Sequence, residues 1–504
     1  MKFPLSFAAS TAAALALAAA VLGLRFGTFA ASGADSYGYV SQGDLWLERR
    51  LIIDEPLADE AEWRNANWTL TPFGYRPGDD RGTMVPTYAP GLPVVMAAFK
   101  AAGGADAVFF VVPLLGALAV WLTFVLGARI GGPQAGLLAA AALLVSPPFL
   151  FQLMWPMSDV PAMAWWLAAS VLAIRGTTAS LAVAGGAAAL ATLTRPNLVV
   201  LALPIFVFAI SRPGTPRERI GRGVAFTLGL APAPMAIAAL NQHLYGSPLA
   251  SGYGTFSTIY DARYLLANLV NYATWLLQTQ TPFVGLALAA PWLLRRYGHA
   301  DARAIARLGI GVAAAVALSY LFYTPLDHWT FLRFLLPAYP PMLALAATAF
   351  MLMAPRAPRP RAAAVAALVL VLGAWGLWTG RAAFRVRTEE SRYIDAGRFA
   401  RELPENAVIL CNQHSGSLRY YANRITMRFE WLDPDMYVEA LDQVQRLGRP
   451  VYVVLDDWER DIFRQRYAGV ADLSWLDEPP LLLAARRVYF YEVVPARAGL
   501  RTGL

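Results

Sequence analysis

The chain has 504 residues, of which 57% are hydrophobic and only 15% charged, against about 25% charged in an ordinary soluble domain. So little charge excludes a mainly soluble protein and points to repeated membrane spans of roughly 20 apolar residues each. The formal charge of +8 comes almost entirely from arginine, since lysine occurs only at Lys2 and Lys100. Cys411 is the single cysteine, which excludes an intrachain disulfide and a cysteine metal cage.

In chain order, apolar runs predict helical spans at 5–24, 106–128, 134–151, 160–174, 179–194, 197–211, 223–244, 273–294, 308–323, 334–353 and 363–380. Arginines collect in the breaks "RPGTPRERIGR" (212–222), "RRYGHADARAIAR" (295–307) and "RAPRPR" (356–361). With the N-terminus inside, these three breaks, Arg129 and Arg175 all fall on the cytoplasmic side. That is the positive-inside pattern, and it argues against a nucleic-acid-binding role for the charge. Eleven spans then leave residues 381–504 outside. A cleaved signal peptide is the other reading of 5–24, although its apolar run is long for one. Either way the residues after it lie outside. "YAPGLPVVMAAFKAAGG" (88–104) is apolar but short, and counting it as a span would invert every later loop, so it reads as an interfacial helix.

The outer side therefore holds a long first loop (25–105), shorter loops at 152–159, 245–272 and 324–333, and the tail. In the tail, "ENAVILCNQ" (405–413), "RPVYVVLDD" (449–457) and "RRVYFYEVV" (486–494) read as strands, and "SGSLRYYAN" and "DPDMYVEALDQVQRLG" as helices. The expected fold is a polytopic α-helical membrane module over 1–380 with a small extracytoplasmic α/β domain over 381–504.

The question is what the acids of the outer side do. Asp35 follows the first apolar run within a few residues, in "ASGADSYGYVSQGDLWLERR" (31–50). Asp44 and Glu48 follow in the same loop, Asp159 lies in the second, and Asp327 lies in the fourth beside His328. Arg195 and Arg333 sit at helix ends on that side. Acids and arginines at one membrane face suit transfer from an anionic lipid headgroup to a hydroxyl or amine. A carboxylate can take the acceptor proton, and a guanidinium can hold a departing phosphate. When phosphate leaves, no second carboxylate is needed as general acid, unlike ordinary glycoside hydrolysis.

"ADSYGY", "PTYAPGLPVV", "MSDVPAMAWWLAAS", "LTRPNLVVLALP" and "WTFLRFLLPAYPPMLALAA", in this order over residues 1 to about 380, resemble the GT-C superfamily of polytopic glycosyltransferases. The similarity is greatest to the bacterial branch related to protein mannosyltransferases and aminoarabinose transferases. The resemblance implies a GT-C membrane fold, a polyprenyl-phosphate-linked sugar donor, and Asp35 as the catalytic acid residue of the family. By position it implies that Asp159 matches the acid of the second outer loop, and that Arg195 and Arg333 match basic positions near the donor phosphate. Lys100 is a further candidate for that phosphate. Tyr37, Asp44, Tyr88, Asp159, Asp327 and His328 are candidates for substrate contact. Many relatives have two adjacent acids in the first loop, whereas here Ser36 follows Asp35. No cofactor is assigned; a divalent ion is left open, and the missing second acid counts against it.

Each residue also has a simpler reading. Asp159, before Val160-Pro161, suits a helix cap; Asp44 and Glu48 suit a solvated helix face; Arg195 and Lys100 suit snorkelling to the interface. His414 in "NQHSGS" has no partner spacing that makes a catalytic triad. The expected activity is glycosyl transfer to an envelope glycan, lipid or protein at the outer face of a bacterial inner membrane. The competing functions are a transporter or flippase for a lipid-linked or anionic substrate, and a non-catalytic scaffold. Transporters place charge near the bilayer midplane, often in repeated halves; the acids here gather at one face and no repeat is visible.

Overall fold

A computed structural model describes residues 5–254, 259–485 and 487–493. The predicted strand 486–494 therefore has both end residues outside the described ones, as does part of the 245–272 loop. Each of the eleven predicted spans is helical over most of its length. Six described helices are long and apolar enough to cross a membrane, and a seventh results if Pro133–Leu144 and Pro147–Leu153, bent by 62° at their junction, count together. The chain is thus a multi-pass membrane protein. Several of the other segments are shorter, such as Asp159–Arg175 and Thr178–Thr194 with 17 residues each, or about 25 Å at 1.5 Å per residue. Leu5–Phe26 begins the bundle, and its large common core runs from Ala8 to Val386.

The first loop is folded rather than open. Asp35–Glu48 is a helix whose residues 36–43 are all buried, and Arg49 ends it in the left-handed conformation (φ 57°). A three-stranded antiparallel sheet follows, in the order β1 (Ile53–Asp54), β3 (Thr83–Pro86), β2 (Tyr75–Pro77). The short apolar segment 88–104 contains the helix Gly91–Gly103.

The tail forms a five-stranded mixed sheet, β5-β4-β6-β8-β7. Strands β4 (Val408–Cys411), β6 (Val451–Asp456) and β8 (Val488–Glu492) lie within the three predicted runs; β5 (Ile425–Arg428) and β7 (Leu482–Ala484) were not expected. Helices Val386–Ala400, Ser415–Ala422 and Tyr437–Arg446 pack on this sheet. Asp433 stands at the start of the short turn before the last of these, without a side-chain cap bond.

The first loop and the tail share one core. Leu57, Trp63 and Leu70 cluster with Val453, Leu455 and Phe463, and Trp68 stacks on Trp431 with centroids 4.7 Å apart. Arg419 ties the two parts, donating to Glu55 Oε2 at 2.5 Å and to the Leu70 carbonyl at 2.6 Å. Gly416 is required at the contact, because a Cβ there would lie 2.0 Å from Tyr37 Cδ1. We expect Gly416→Ala to lower stability by about 1–3 kcal/mol through overpacking, seen as a lower melting temperature of the detergent-solubilised chain.

Candidate active site

Four segments bring their polar ends together, and local sequence explains each placement. Asp35 opens the Asp35–Glu48 helix, where a negative charge meets the positive end of the helix dipole. A capping box between Thr177 and Ser180 starts the Thr178–Thr194 helix. Pro196 ends it, because the residue before a proline avoids helical geometry, so Arg195 is extended at φ −143°. Asp159 is the first residue of Asp159–Arg175. Arg333 lies in the 3-10 run Trp329–Ala338, which leads directly into Tyr339–Met353.

These charges alternate in sign. Asp159, with no exposed side-chain surface, accepts from Arg195 Nη2 at 2.6 Å, and its other oxygen lies 4.0 Å from Arg333 Nη1. Arg333 Nη1 donates in turn to Asp35 Oδ2 at 3.0 Å. Tyr88 donates to Asp35 Oδ1 at 2.6 Å. Burial first, and the Asp35 charge second, hold the Tyr88 phenol well above its ordinary pKa, so it remains a donor. The Tyr88 ring stacks on Tyr39 and passes over Gly38, where a Cβ would be 2.3 Å from the ring. Both arginines lie against the Phe334 ring, 5.4 and 5.1 Å from its centroid.

The two arginines differ in what they have left to give. Arg195 spends its donors on Asp159, Ser158 Oγ (3.0 Å) and Tyr320 Oη (3.2 Å). Arg333 keeps a buried Nε without a partner and lines a cavity of about 370 Å³. Asp35 opens onto the same cavity with 30% of its side chain exposed. Ser36, Gln152, Trp155, Met157 and Phe331 line it on the side of the first loop and the bundle; Glu390, Arg392, Tyr393 and Gln413 line it from the tail. A larger cleft of about 610 Å³ between Ala202–Ser211 and Pro216–Leu230 is apolar apart from Arg219 and Thr227 and contains none of these acids.

Residues 89–240 match a family model described as dolichyl-phosphate-mannose-protein mannosyltransferase. No curated protein matches the chain. Among solved structures, ArnT from Cupriavidus metallidurans bound to undecaprenyl phosphate is 14% identical with a TM-score of 0.58, over 97% of this chain and 98% of that one. The fold is that of the GT-C glycosyltransferases. The oligosaccharyltransferase AglB of Archaeoglobus fulgidus, in complex with an inhibitory peptide and a dolichol-phosphate, is 12% identical at a TM-score of 0.55, over 92% of this chain and 71% of that one. The arabinofuranosyltransferase AftD from Mycobacteria is 15% identical at a TM-score of 0.53, over 91% and 35%. The resemblance read from the sequence is therefore borne out, by the matched segment and by the fold.

Within this GT-C frame Asp35, Tyr88, Asp159, Arg195 and Arg333 come together, and five other candidates do not. Tyr37 is two residues beyond Asp35 on the helix and so turns away from it, packing on Tyr75, Tyr420 and Gly416. Tyr39, four residues beyond, takes the expected place and donates to Ser158 Oγ at 2.8 Å. Asp44 and Lys100 pair with each other at 2.5 Å and line no part of the cavity. Asp327 and His328 are exposed; His328 Nδ1 accepts from the Thr330 backbone and begins the 3-10 run. Asp159 is not a helix cap, because Ser158 holds that position and Asp159 faces the arginines. Asp35 and Asp159 are both turned toward arginine, and no group of three or more His, Cys, Asp or Glu side chains gathers among the described residues; we derive no step through a metal.

Sequence reasoning missed Tyr39, Tyr320, Phe334 and the whole tail contribution. His414 is buried against Asp456, its Nε2 3.3 Å from Asp456 Oδ1. The turn that carries Gln413 to the cavity is held by Glu459, which accepts from the backbone of Gln413 (3.1 Å) and Asp456 (2.9 Å). Burial pushes the Glu459 carboxyl up to about 7.

Two measurements follow. Asp159→Asn removes the charge opposite a buried arginine, and we expect a loss of about 3–5 kcal/mol, with the double variant Asp159→Asn/Arg195→Gln losing less than the sum of its parts in thermal denaturation. For Glu459, the folded pKa lies above the unfolded value of about 4.3, so its contribution is complete below about pH 4 and declines as the pH rises to about 7. The melting temperature of the wild type, measured from pH 4 to 8, should contain this decline, and Glu459→Gln should abolish that component.

Proposed function

We propose that this GT-C glycosyltransferase moves a sugar from a polyprenyl-phosphate donor to an acceptor at the outer face of a bacterial inner membrane. The N-terminus would be cytoplasmic and the tail extracytoplasmic, as the arginine distribution requires. The observation that carries the mechanism is the position of Asp35. Its carboxylate is held between the Tyr88 hydroxyl and Arg333 at the wall of the cavity. Two hydrogen bonds fix its orientation and leave lone pairs for a third partner.

Asp35 takes the proton of the acceptor hydroxyl as that oxygen bonds to the anomeric carbon. The bond from that carbon to the phosphate oxygen breaks, and the polyprenyl phosphate leaves with the electron pair. Arg333, with its spare donor, steadies the leaving phosphate. A single displacement of this kind inverts the anomeric centre. Arg195, with each nitrogen bonded to Asp159, Ser158 or Tyr320, acts through Asp159 by keeping Arg333 in place. The binding of undecaprenyl phosphate by ArnT and of a dolichol-phosphate by AglB, both with this fold, supports a lipid-phosphate donor.

The test is mass spectrometry of envelope glycans and glycolipids from a deletion strain, alone or carrying the wild type or Asp35→Asn at equal expression. We expect a sugar-sized mass to vanish in the deletion and return with the wild type, with Asp35→Asn reducing transfer by at least about 100-fold. An envelope unchanged by deletion overturns the transferase reading, and full restoration by Asp35→Asn overturns the base.

A further inference from the structure

The tail side of the cavity is a second set of recognition groups for which the chemistry at Asp35 has no use. Glu390 and Arg392 come from the helix Val386–Ala400, with Gln413 from the turn after β4. Arg392 is fixed in place: it donates to Glu390 Oε1 (3.1 Å), the Glu389 carbonyl (2.8 Å) and Tyr393 Oη (3.2 Å), and its Nε lies 3.4 Å from Asp456 Oδ1. Glu390 is buried to all but 6% of its surface, yet it borders the cavity.

The same cavity is lined by two further residues with buried polar atoms that lack a protein partner, Gln152 Oε1 and Ser36 Oγ. Gln152 and Ser36 are 4% and 2% exposed. A buried polar atom left unpaired costs about 1–3 kcal/mol, so a ligand hydroxyl that reaches either of them is favoured. The flat side chains Trp155 and Phe331 supply apolar faces beside them. The charges lining the cavity compensate one another, Asp35 with Arg333 and Glu390 with Arg392. An anionic acceptor would meet two carboxylates there, and a cationic one two guanidiniums. A neutral polyhydroxyl group meets a donor or an acceptor at each point.

We propose that the Glu390–Arg392–Gln413 side, opposite Gln152 and Trp155, is the acceptor subsite, and that it takes an uncharged carbohydrate residue through its hydroxyls. This rests on the transferase reading for the word acceptor. The donor lipid arrives from the bundle, whereas this side belongs to the tail, which the arginine pattern puts outside. A volume of about 370 Å³ is at the small end of the roughly 300–1,000 Å³ of ligand sites, which fits a terminal sugar rather than a long glycan segment.

The experiment is saturation-transfer NMR on the full chain in detergent, with methyl α-mannopyranoside and methyl β-glucopyranoside as neutral probes and glucuronate, glucosamine and inorganic phosphate as charged ones. We expect at least one neutral glycoside to bind, about tenfold more weakly in Glu390→Gln, as for loss of a hydrogen bond to a charged group, and more weakly in Gln413→Ala. Exposed Glu405→Gln should change nothing. Absence of binding by either neutral glycoside, a preference for glucuronate, glucosamine or phosphate, or equal binding by every variant overturns the subsite.

The same variants are then scored by the envelope assay. If the deletion removes a sugar mass but Glu390→Gln restores it fully, the subsite fails and the transferase stands. If glycosides bind at Glu390 but deletion leaves the envelope unchanged, the carbohydrate site stands, while the transferase reading and the name acceptor fail. Circular dichroism and melting of Glu390→Gln and Gln413→Ala separate a local effect from misfolding, since Gln413 has no buried ion pair to lose.

Discussion

Asp159 is the constraint on which this site is built. A carboxyl group with no exposed surface must be given polar partners, and its partners come from two distant helical segments, Arg195 before Pro196 and Arg333 in the 3-10 run. Meeting that one requirement pins three pieces of chain to a single point, and Arg333 adds the Asp35 helix as a fourth. It also sets Arg333 where its remaining donors face Asp35 and the cavity. The alternating order of charges, Asp35, Arg333, Asp159, Arg195, keeps each carboxylate beside a guanidinium where water is scarce and pairing strong.

The arrangement separates two tasks that a list of charged residues would merge. Each of the three guanidinium nitrogens of Arg195 has a hydrogen bond within the protein, so this residue serves the frame. Arg333 shares its charge between two acids and retains an unpartnered nitrogen, so it can answer a ligand. Tyr88 does for Asp35 what Arg333 does from the other side, and Gly38 makes room for it. Positioning by a neutral phenol and a guanidinium together holds the carboxylate without surrendering all its lone pairs.

The cavity is made from both ends of the chain. Residues 57–70 of the first loop complete the core of the tail sheet, and Gly416 closes on Tyr37. The helix carrying Glu390 and Arg392 packs through Ala396 and Ala400 into a second core of the tail, with Ile409 and Val454, and lines the same cavity as Asp35. Recognition and chemistry are joined through the tail sheet: the first loop packs with Val408, Leu410, Val453 and Leu455, and the Glu390 helix packs with Ile409 and Val454 of the same strands.

From the sequence alone came the multi-pass character, the eleven helical segments, the short apolar helix of the first loop, three of the five tail strands and the GT-C likeness. Apolar runs and arginine breaks are local features, and local features survive in a linear string. Asp35, Tyr88, Asp159, Arg195 and Arg333 were legible because charge and aromatic groups next to apolar helix ends are conspicuous. The sequence could not separate Tyr37 from Tyr39, since that depends on the helix starting at Asp35 itself. It could not pair Asp44 with Lys100, 56 residues away, nor see that Asp327 and His328 face solvent. Strands β5 and β7 are too short to show alternation. Glu390 and Arg392, some 355 residues from Asp35, carry no motif; only the docking of the tail on the first loop brings them to the cavity, because which apolar faces meet is decided by the packing of the whole chain.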